Sequence, residues 1–465
     1  MVKPTLEPGT VIDGFRLEEP IHRGGMAELW RVTRHGDDPP MLMKVPLIKE
    51  GSDPATVVGF EMEQMIMPRL AGPHVPKFVA AGDFSVQPYI VMERIAGTSL
   101  LPRLKELPLP YAEVAALGVK IATALDALHR QHVVHLDIKP SNIVLRPSGE
   151  AVLLDYGLSH HAQLPDLMQE EFRVPFGTAP YMSPEQLKGD RTDPRSDQFA
   201  LGVLLYFFST GVRPFGEGET LRAMRRRLWR DPEPPRKLRP DYPPWLQEIV
   251  LRCLEIEPSW RYPTAAQLAF ALGYPDQVKL TQRSERMRRD SFRVVMRRRF
   301  NTDLKQSPRK ADVTAQLASA PIVAAAIDLS ADASLNEALR VTTRRILATL
   351  PAARLACLNV NRVHRLALDT TLDDSGHSKQ IDRLVALRAW AEPLKLDGGR
   401  LTAHVLEAVD PADAILDFAL ANRVDHLLIG ARDRSFTRSL LGSVSAKVAA
   451  EAGCSVTIVR PPRAD

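Results

Sequence analysis

The sequence predicts an α+β unit of two lobes, followed by a separate α/β domain with a doubly wound parallel sheet. Residues 9–100 hold short strand-like runs, and from about Tyr111 to Gly273 apolar residues recur at helical spacings of three and four. From residue 319 onwards strand-like and helical stretches alternate, which is typical of a parallel doubly wound sheet. A β-rich lobe before a larger helical lobe also predicts a ligand-binding cleft between the two.

These patterns divide the chain into segments. We predict an N-terminal extension at 1–14, the two-lobed unit at 15–273, a basic linker at 274–318 and the α/β domain at 319–462. In the first lobe the predicted strands include Phe15–Leu17, Glu28–Val32, Met41–Val45 and Tyr89–Glu93, with a helix at about Ala55–Leu70. In the α/β domain they include Ile322–Asp328, Arg354–Val360, Thr402–Leu406, His426–Gly430 and Ser455–Val459, with helices near 334–349, 379–391, 411–422 and 443–452.

The composition excludes several classes of protein. The 465 residues are 45% hydrophobic and 25% charged, which is average for globular proteins and excludes a wholly disordered chain. The longest uncharged apolar stretch has about ten residues, too few to span a bilayer, and no signal peptide is visible. Cys253, Cys357 and Cys454 are far apart, in neither a disulfide nor a zinc pattern. We therefore expect a cytoplasmic protein.

The positive charge is concentrated in the linker. Residues 281–310 contain eleven Lys or Arg and three Asp or Glu, a balance of +8 within a chain of net charge +5. The rest of the chain is therefore slightly acidic, and the linker lacks the interleaved aromatic residues of single-strand binders, so we expect no nucleic-acid partner. A solvated spacer and a peripheral contact with an anionic surface both fit this segment, and Ser284, Ser291 and Ser307 are candidate autophosphorylation sites.

The most specific motif is the run at 135–142, His-Leu-Asp-Ile-Lys-Pro-Ser-Asn, followed by Asp-Tyr-Gly at 155–157. Phosphoryl transfer needs a carboxylate that orients the hydroxyl nucleophile, a cation beside the moving phosphoryl group and oxygen ligands for Mg²⁺. Those roles fall, in order, to Asp137, to Lys139, and to Asn142 together with Asp155. The alternative interpretation is a polar loop that caps two helices.

On these motifs, residues 15–273 resemble the eukaryotic-like Ser/Thr protein kinases of bacteria. The resemblance implies a bilobal protein kinase fold, ATP and Mg²⁺, and protein substrates. It implies that Lys44 holds the α- and β-phosphates and pairs with Glu63, with Glu61 as the competing register. The catalytic residues implied are Asp137, Lys139, Lys44 and Glu63, and the metal ligands are Asn142 and Asp155. The implied ATP-binding residues are Ile21, Gly24, Gly25, Met26, Leu29, Lys44, Glu93, Ile95, Asn142 and Asp155.

Other landmarks of the resemblance follow in order along the chain. Met92 resembles the gatekeeper of a hinge whose backbone meets adenine at Glu93 and Ile95. Thr178, at the start of a segment ending in Pro-Glu, resembles the substrate-docking threonine, and its combination with Lys139 is the Ser/Thr-type signature. The implied structural residues are Glu185 and Arg261, as a buried ion pair, and Asp197, as a brace for the catalytic loop.

The sequence departs from the family in two places. The phosphate loop at 22–27 has His22 and Ala27 where the first and third glycines would lie, although Gly24 and Gly25 remain for close approach to phosphate. Leu136 replaces the arginine that binds a phosphorylated activation loop in many kinases, and residues 160–177 contain no Ser, Thr or Tyr. We therefore expect activity without phosphorylation of the activation loop.

Residues 319–462 resemble the universal stress protein family. The motifs lie at 323–330, 410–415, 429–432, 441–448 and 456–460. The resemblance implies a domain that forms a homodimer or contacts the kinase lobe. Nucleotide-binding members carry Gly, two residues, Gly, nine residues and Gly-Ser/Thr, but Asp433 takes the second glycine position and the spacing is one residue short. We therefore expect weak ATP binding at most, with Asp328, Gly430, Gly442 and Ser443 as candidate residues.

Together these features predict a Mg·ATP-dependent Ser/Thr protein kinase of stress signalling. The intact set Lys44, Glu63, Asp137, Asn142 and Asp155 favours an enzyme. The alternative is a degenerate kinase that serves as a nucleotide-binding scaffold, and the altered phosphate loop is its main support.

Overall fold

The computed structural model describes residues 6–34, 40–47, 54–172, 175–216, 220, 224–300, 321–362, 379–396, 400–431 and 443–461. The first lobe is an antiparallel sheet in the order β1-β2-β3-β4-β6-β5, covered by helix α1. Its elements are β1 Val11–Ile12, β2 Phe15–Arg23, β3 Ala27–Thr33, β4 Met41–Pro46, α1 Pro54–Ile66, β5 Phe78–Gly82 and β6 Tyr89–Glu93.

The first lobe differs from the prediction at three points. The predicted extension at 1–14 contributes β1 to the sheet, and Ile12 is buried in its core. Helix α1 ends at Ile66, because Pro68 disfavours helical geometry before it and a short 3-10 turn, Met67–Arg69, follows. Strand β5 was not predicted, since its Phe-Val-Ala-Ala-Gly sequence has few residues of high β-propensity and alternate positions are exposed.

The second lobe is mostly helical, as predicted. Its helices are α2 Tyr111–His129, α3 Leu167–Glu171, α4 Pro184–Leu187, α5 Arg195–Thr210, α6 Pro235–Leu238, α7 Pro244–Cys253 and α8 Ala265–Gly273. Helix α2 packs between α5 and α8 in an apolar core. Two small sheets interrupt the helices, β10-β9-β7 and β11-β8, formed by β7 Thr98–Ser99, β8 Val133–Val134, β9 Ile143–Leu145, β10 Ala151–Leu153 and β11 His160–His161. The motif at 135–142 lies between β8 and β9, so these short strands fix both of its ends.

The first part of the basic linker packs on the second lobe, which corrects the picture of a free spacer. The Glu248 carboxylate accepts hydrogen bonds from the backbone N–H groups of Thr281, at 3.0 Å, and Ser284, at 3.2 Å. Arg283 forms ion pairs with Glu248 and Glu255. Ser284 is 2% exposed and donates to the Thr281 carbonyl, so it is not accessible as a phosphorylation site in this fold.

Further along the linker, its positive charge meets acidic residues. Arg286 and Arg298 each pair with Asp231 at 3.0 Å, and helix α9, Phe292–Phe300, carries Arg298. Ser291 is exposed beside this helix, and Ser307 lies outside the described residues. Part of the linker's charge is therefore neutralised within the molecule.

The C-terminal domain is a doubly wound α/β domain, which confirms the predicted fold class. Five parallel strands lie in the order β14-β13-β12-β15-β16. Its strands are β12 Ile322–Ala326, β13 Arg354–Arg362, β14 Leu401–Ala408, β15 His426–Gly430 and β16 Ser455–Val459, and its helices are α10 Ala333–Thr349, α11 Lys379–Ala391, α12 Pro411–Ala421 and α13 Ser443–Glu451.

Candidate active site

The phosphate loop is the turn between β2 and β3. Its hairpin is closed by a hydrogen bond of 2.9 Å from the Gly24 N–H to the Ala27 carbonyl. A Cβ at Gly25 would meet no atom within 4 Å, and neither Gly24 nor Gly25 has a positive φ. The protein alone does not require glycine here, so these two positions fit a loop whose backbone is approached by a ligand. Ile21 and Met26 are exposed on the same turn, and Leu29 follows in β3.

Lys44 lies on β4, where its side chain joins two acidic residues. Lys44 Nζ is 2.5 Å from Glu63 Oε2 on α1 and 2.9 Å from Asp155 Oδ1 after β10. Glu63 is buried, whereas about half of the Asp155 side chain is exposed. Glu61, the competing register, lies elsewhere and pairs with Arg388 of the C-terminal domain. The structure thus places Glu63, and not Glu61, beside Lys44.

The charges of this cluster support one another. Burial opposes the charge on Lys44, but the neighbouring carboxylates of Asp155 and Glu63 outweigh it and raise the pKa of Lys44. The positive charge of Lys44 lowers the pKa of Asp155 to about 2, so this carboxylate is ionised at neutral pH. Burial raises the pKa of Glu63, against the opposing effect of Lys44.

Asp137 is the centre of a second cluster, formed by the loop at 135–142, which we call the catalytic loop, and the segment that contains Thr178. Lys139 Nζ lies 2.6 Å from Asp137 Oδ2, and Thr178 Oγ1 donates to Asp137 Oδ1 at 2.6 Å. Lys139 Nζ also donates to Thr178 Oγ1 at 3.1 Å. Asn142 Nδ2 donates to the Asp137 carbonyl at 3.0 Å and to Oδ2 at 3.1 Å. These bonds fix the rotamer of the 5%-exposed Asp137 carboxylate.

The backbone of the catalytic loop is held by Asp197. Its two carboxylate oxygens accept from the N–H groups of His135, at 2.9 Å, and Leu136, at 2.8 Å, and His129 Nε2 lies 2.8 Å away. Leu136 has a φ of 65°, which is strained for a leucine, and its carbonyl accepts from the Gln186 side chain at 2.8 Å. The strained turn places residue 137 at the cleft, and the buried carboxylate of Asp197 maintains it.

The residues expected to bind metal offer oxygen ligands. Asp155 adopts a φ of 68°, which again indicates a backbone held in a sparsely populated conformation at a functional position. The backbone N–H of Leu154 donates to the Asn142 carbonyl at 2.8 Å, which ties the two segments that carry the ligands together. An ionised, half-exposed carboxylate with an amide oxygen nearby in the chain fits a hard divalent cation such as Mg²⁺.

The predicted hinge follows β6 and is anchored to the second lobe. Met92 is buried, and the Glu93 N–H donates to the Lys77 carbonyl at 2.9 Å. Arg146 Nη1 and Nη2 donate to the two carboxylate oxygens of Glu93, at 2.7 and 3.1 Å. The sequence did not indicate this contact. This bidentate pair links the two lobes beside the expected adenine position, and Ile95 lies two residues beyond it.

The segment ending in Pro-Glu is anchored by a buried ion pair. Arg261 Nη1 lies 2.5 Å from Glu185 Oε1, and Nη2 lies 2.8 Å from Oε2. Arg261 is 1% exposed and also donates to the carbonyls of Arg195 and Glu255. Glu185 accepts from Ser196 Oγ at 2.7 Å. Together these contacts join α4 to the start of α5 and to the segment that follows α7.

The hydroxyl groups near the activation segment, residues 155–185, are already bonded within the fold. Ser159 Oγ donates to the His135 carbonyl and is fully buried. Ser183 caps α4 in a reciprocal capping box with Gln186 and is also fully buried. Tyr181 is 5% exposed beneath the Arg213 guanidinium. Thr178 bonds to Asp137, as described above.

The candidate nucleotide residues of the C-terminal domain are only partly described. Asp328 Oδ1 accepts from the N–H and Oγ of Ser330, at 2.9 and 2.6 Å. Gly430 ends β15, where a Cβ would lie 3.1 Å from the Leu335 side chain of α10. Ser443 begins α13. Gly442 and Asp433 lie outside the described residues, so ATP binding by this domain stays a prediction.

A third group of residues joins the C-terminal domain to the two lobes, which was one of the two arrangements expected, but the residues that form the contact were not predicted. Glu170 and Glu171 of α3 meet Arg354 and His404, and Glu61 of α1 meets Arg388. These pairs are separated by 184 to 327 residues in the chain. No local motif links residues so far apart, and only the folded arrangement of the two domains reveals them.

Comparison with known proteins supports both parts of this description. Residues 15–270 match the family model described as protein kinase domain, and residues 321–460 match that of the universal stress protein family. A probable serine/threonine-protein kinase of Clostridium perfringens is 28% identical over 255 residues, which are 55% of this chain and 37% of that protein. The serine/threonine-protein kinase pkn3 of Myxococcus xanthus is 32% identical over 321 residues, 66% of this chain and 56% of that protein.

A third relative is named as a tyrosine-protein kinase. The tyrosine-protein kinase MasK of Myxococcus xanthus is 33% identical over 285 residues, 58% of this chain and 43% of that protein. The chain thus spans between 37% and 56% of the length of these relatives. Among the described residues, no helix combines the length and apolar character needed to cross a membrane.

Proposed function

The chain belongs to the protein kinase family, and on that premise we propose that it transfers the γ-phosphoryl group of ATP to Ser or Thr hydroxyls of protein substrates. The observation that carries the proposal is that Lys44 of the first lobe pairs with Glu63 and with Asp155 of the second lobe, while Asp137 of the second lobe pairs with Lys139. A degenerate family member would lack one of these groups, and all are within bonding distance of their partners.

The proposed division of labour follows from the positions of the groups. Asp137 accepts a hydrogen bond from the substrate hydroxyl and orients it for in-line attack, with Lys139 stabilising negative charge on the transferred group. Lys44, held by Glu63, positions the α- and β-phosphates. When bound through Asp155 and Asn142, Mg²⁺ supplies charge neutralisation at the β- and γ-phosphates.

Preference for Ser and Thr is supported by the contact between Lys139 and Thr178. Both side chains bond to the Asp137 carboxylate and to each other, within 3.1 Å. They form the Ser/Thr-type combination of the resemblance, whereas the tyrosine specificity in the name of MasK belongs to that relative. We propose that this combination favours an aliphatic hydroxyl at Asp137.

Phosphoryl transfer from radiolabelled ATP to a generic protein substrate tests this function. Asp137→Asn should lower turnover by about 10²- to 10⁴-fold, because the hydroxyl is no longer oriented by a carboxylate. Lys44→Met should also reduce turnover strongly while weakening nucleotide binding only modestly. Asp276→Asn, at an exposed position just after the second lobe, is the matched control. Near-normal turnover in both folded active-site variants would refute the proposed function.

The alternative function, a nucleotide-binding scaffold, is favoured by His22 and Ala27 in the phosphate loop. It predicts that ATP binds to the wild-type chain without measurable transfer. Roles in stress signalling, a cytoplasmic location and a homodimer formed through the C-terminal domain remain predictions from the sequence. Light scattering on the purified chain measures the last of these directly.

A further inference from the structure

The C-terminal domain contacts the activation segment through a buried charged cluster. The His404 side chain, on β14, is fully buried, with Nδ1 3.0 Å from Glu171 Oε1 and Nε2 3.1 Å from Glu170 Oε2. Arg354, at the start of β13, forms an ion pair with the same Glu170 carboxylate. The Asn422 side chain donates to the Glu170 carbonyl at 3.3 Å. Two adjacent carboxylates of α3 are therefore matched by two basic side chains of the C-terminal domain.

A second contact reaches α1, the helix that carries Glu63. Arg388 of α11 pairs with Glu61, whose side chain is 8% exposed, and its guanidinium lies 5.3 Å from the centre of the Phe84 ring. Glu61 and Glu63 are two residues apart on one helix, so the ion pair that holds Glu61 also restricts the position of Glu63. Buried apolar residues of both domains form one continuous cluster around these contacts.

Helix α3 contacts both the kinase lobes and the C-terminal domain. It packs against α1, and Asp166, which caps its N-terminus, forms an ion pair with Arg191 of the second lobe at 2.7 Å. Its opposite surface meets β14 and α12 of the C-terminal domain. Since α3 lies between Asp155 and Thr178 in the chain, its position affects both ends of the activation segment.

In many regulated proteins, a phosphate group that is bound by arginine fixes the position of such a segment. Here the described part of the segment offers carboxylates instead, and Leu136 cannot bind them. The matching cations come from a domain more than 180 residues further along the chain.

We propose that the C-terminal domain is a cis-acting partner of the kinase reaction, in which Arg354, His404 and Arg388 are positioning residues that hold α3 and α1 in the active arrangement. This inference rests on the proposed function. We infer a supporting and not an inhibitory role, because the Lys44–Glu63 and Lys44–Asp155 ion pairs are formed while the domain is docked. An inhibitory contact on α1 would hold Glu63 away from Lys44.

The test compares the full-length wild-type chain with Arg354→Met, Arg388→Met and the double variant. Methionine keeps much of the apolar stem and removes the charge. We expect kcat to fall by about tenfold or more in the double variant, with KM for ATP changed less than threefold, as for a modest coupling between distant sites. Hydrogen exchange should accelerate in residues 54–66 and 167–171, whereas Arg345→Met, at an exposed position of α10, should leave kcat and exchange unchanged.

A charge exchange keeps the test decisive if a single variant is unstable. Arg388→Glu and Glu61→Arg should each lower kcat, and the two together should restore it to within about threefold of wild type, because the pair is reformed with reversed polarity. If the wild-type chain is active and the variants show unchanged kcat and hydrogen exchange, the inference is overturned while the proposed function stands. An increase of kcat also overturns it, since the contact would then be inhibitory. A wild-type chain without kinase activity overturns the proposed function and the inference together.

Discussion

Thr178 Oγ1 donates a hydrogen bond of 2.6 Å to Asp137 Oδ1, so the end of the activation segment meets the catalytic loop directly. The Thr178 N–H approaches the same oxygen at 3.1 Å, and Lys139 bonds to both side chains. The three groups form a closed set in which the threonine fixes the carboxylate orientation. In the proposed reaction, a substrate hydroxyl that approaches Asp137 therefore meets a carboxylate already held in place.

This relationship predicts different effects for two substitutions of Thr178. Thr178→Ala removes the hydroxyl and should lower kcat by about 10- to 100-fold, because a charge-assisted hydrogen bond is worth about 1.5–3 kcal/mol. Thr178→Ser keeps the donor and should retain most of the activity. Steady-state kinetics with a protein substrate distinguish them, and equal losses in both variants would mean that the methyl group, and not the hydroxyl, matters.

Phosphatase treatment should leave the activity of the purified chain unchanged. Residues 160–177 contain no hydroxyl side chain, and Ser159 and Ser183 are fully buried and bonded. Leu136 offers no charge to receive a phosphate. The measurement is turnover before and after dephosphorylation, with phosphosites mapped by mass spectrometry. A large loss of turnover, together with a site within 158–185, would contradict the prediction.

The local parts of the site could be predicted from the sequence, and the parts between domains could not. Asp137, Lys139 and Asn142 lie within six residues, so their spacing alone indicated a shared function. Glu63 was expected only from the family resemblance, with Glu61 as the competing register, and the pair with Lys44 is seen in the fold. The contacts of Glu170 with Arg354 and of Glu61 with Arg388 depend on how two domains dock, which no periodicity encodes. The same reason explains why the packing of the basic linker on Glu248 was not expected.

Glu185→Ala should destabilise the protein strongly. It leaves the 1%-exposed Arg261 guanidinium without its bidentate partner, and removal of one member of a buried ion pair costs about 3–5 kcal/mol. Thermal unfolding followed by circular dichroism measures the loss. Glu106→Ala is the matched control, because it breaks the Arg103–Glu106 pair at the surface and should cost less than about 1 kcal/mol. Similar losses in both variants would show that the buried pair has no special weight.

The docking of the C-terminal domain should weaken in alkaline solution. Burial opposes a charge on His404, but its bonds with Glu170 and Glu171 prevail and raise its pKa to about 9. A histidine whose pKa is raised on folding stabilises the fold fully below its ordinary value of about 6.5, and this contribution is lost as the pH rises through about 9. Burial raises the pKa of the neighbouring Glu171 carboxyl, whereas the pKa of Glu170 is lowered, because its contacts with His404 and Arg354 outweigh burial.

The melting temperature of the wild-type chain should therefore fall from pH 7 to pH 9.5, by an amount equivalent to a few kcal/mol at most. His404→Gln should be less stable at pH 7 and show a flatter profile over this range. His426→Gln is the control, because burial lowers the pKa of His426 and its charge does not change there. Parallel profiles for wild type and His404→Gln would exclude a charged His404 at the interface.

The C-terminal domain should bind ATP with a dissociation constant weaker than about 100 µM, equivalent to less than about 5.5 kcal/mol. A carboxylate at Asp433 would repel a phosphate by roughly 4 kcal/mol per unit charge at about 4 Å and an effective dielectric of ~20. Asp433→Gly should therefore strengthen binding by at least about tenfold. Gly430→Val is a poor probe, because a side chain there would press on Leu335. Calorimetry on residues 319–465, after circular dichroism has shown that they fold, decides between the outcomes. A low-micromolar constant for the wild-type domain, lost in Ser443→Asp at the N-terminus of α13, would instead establish an ATP site.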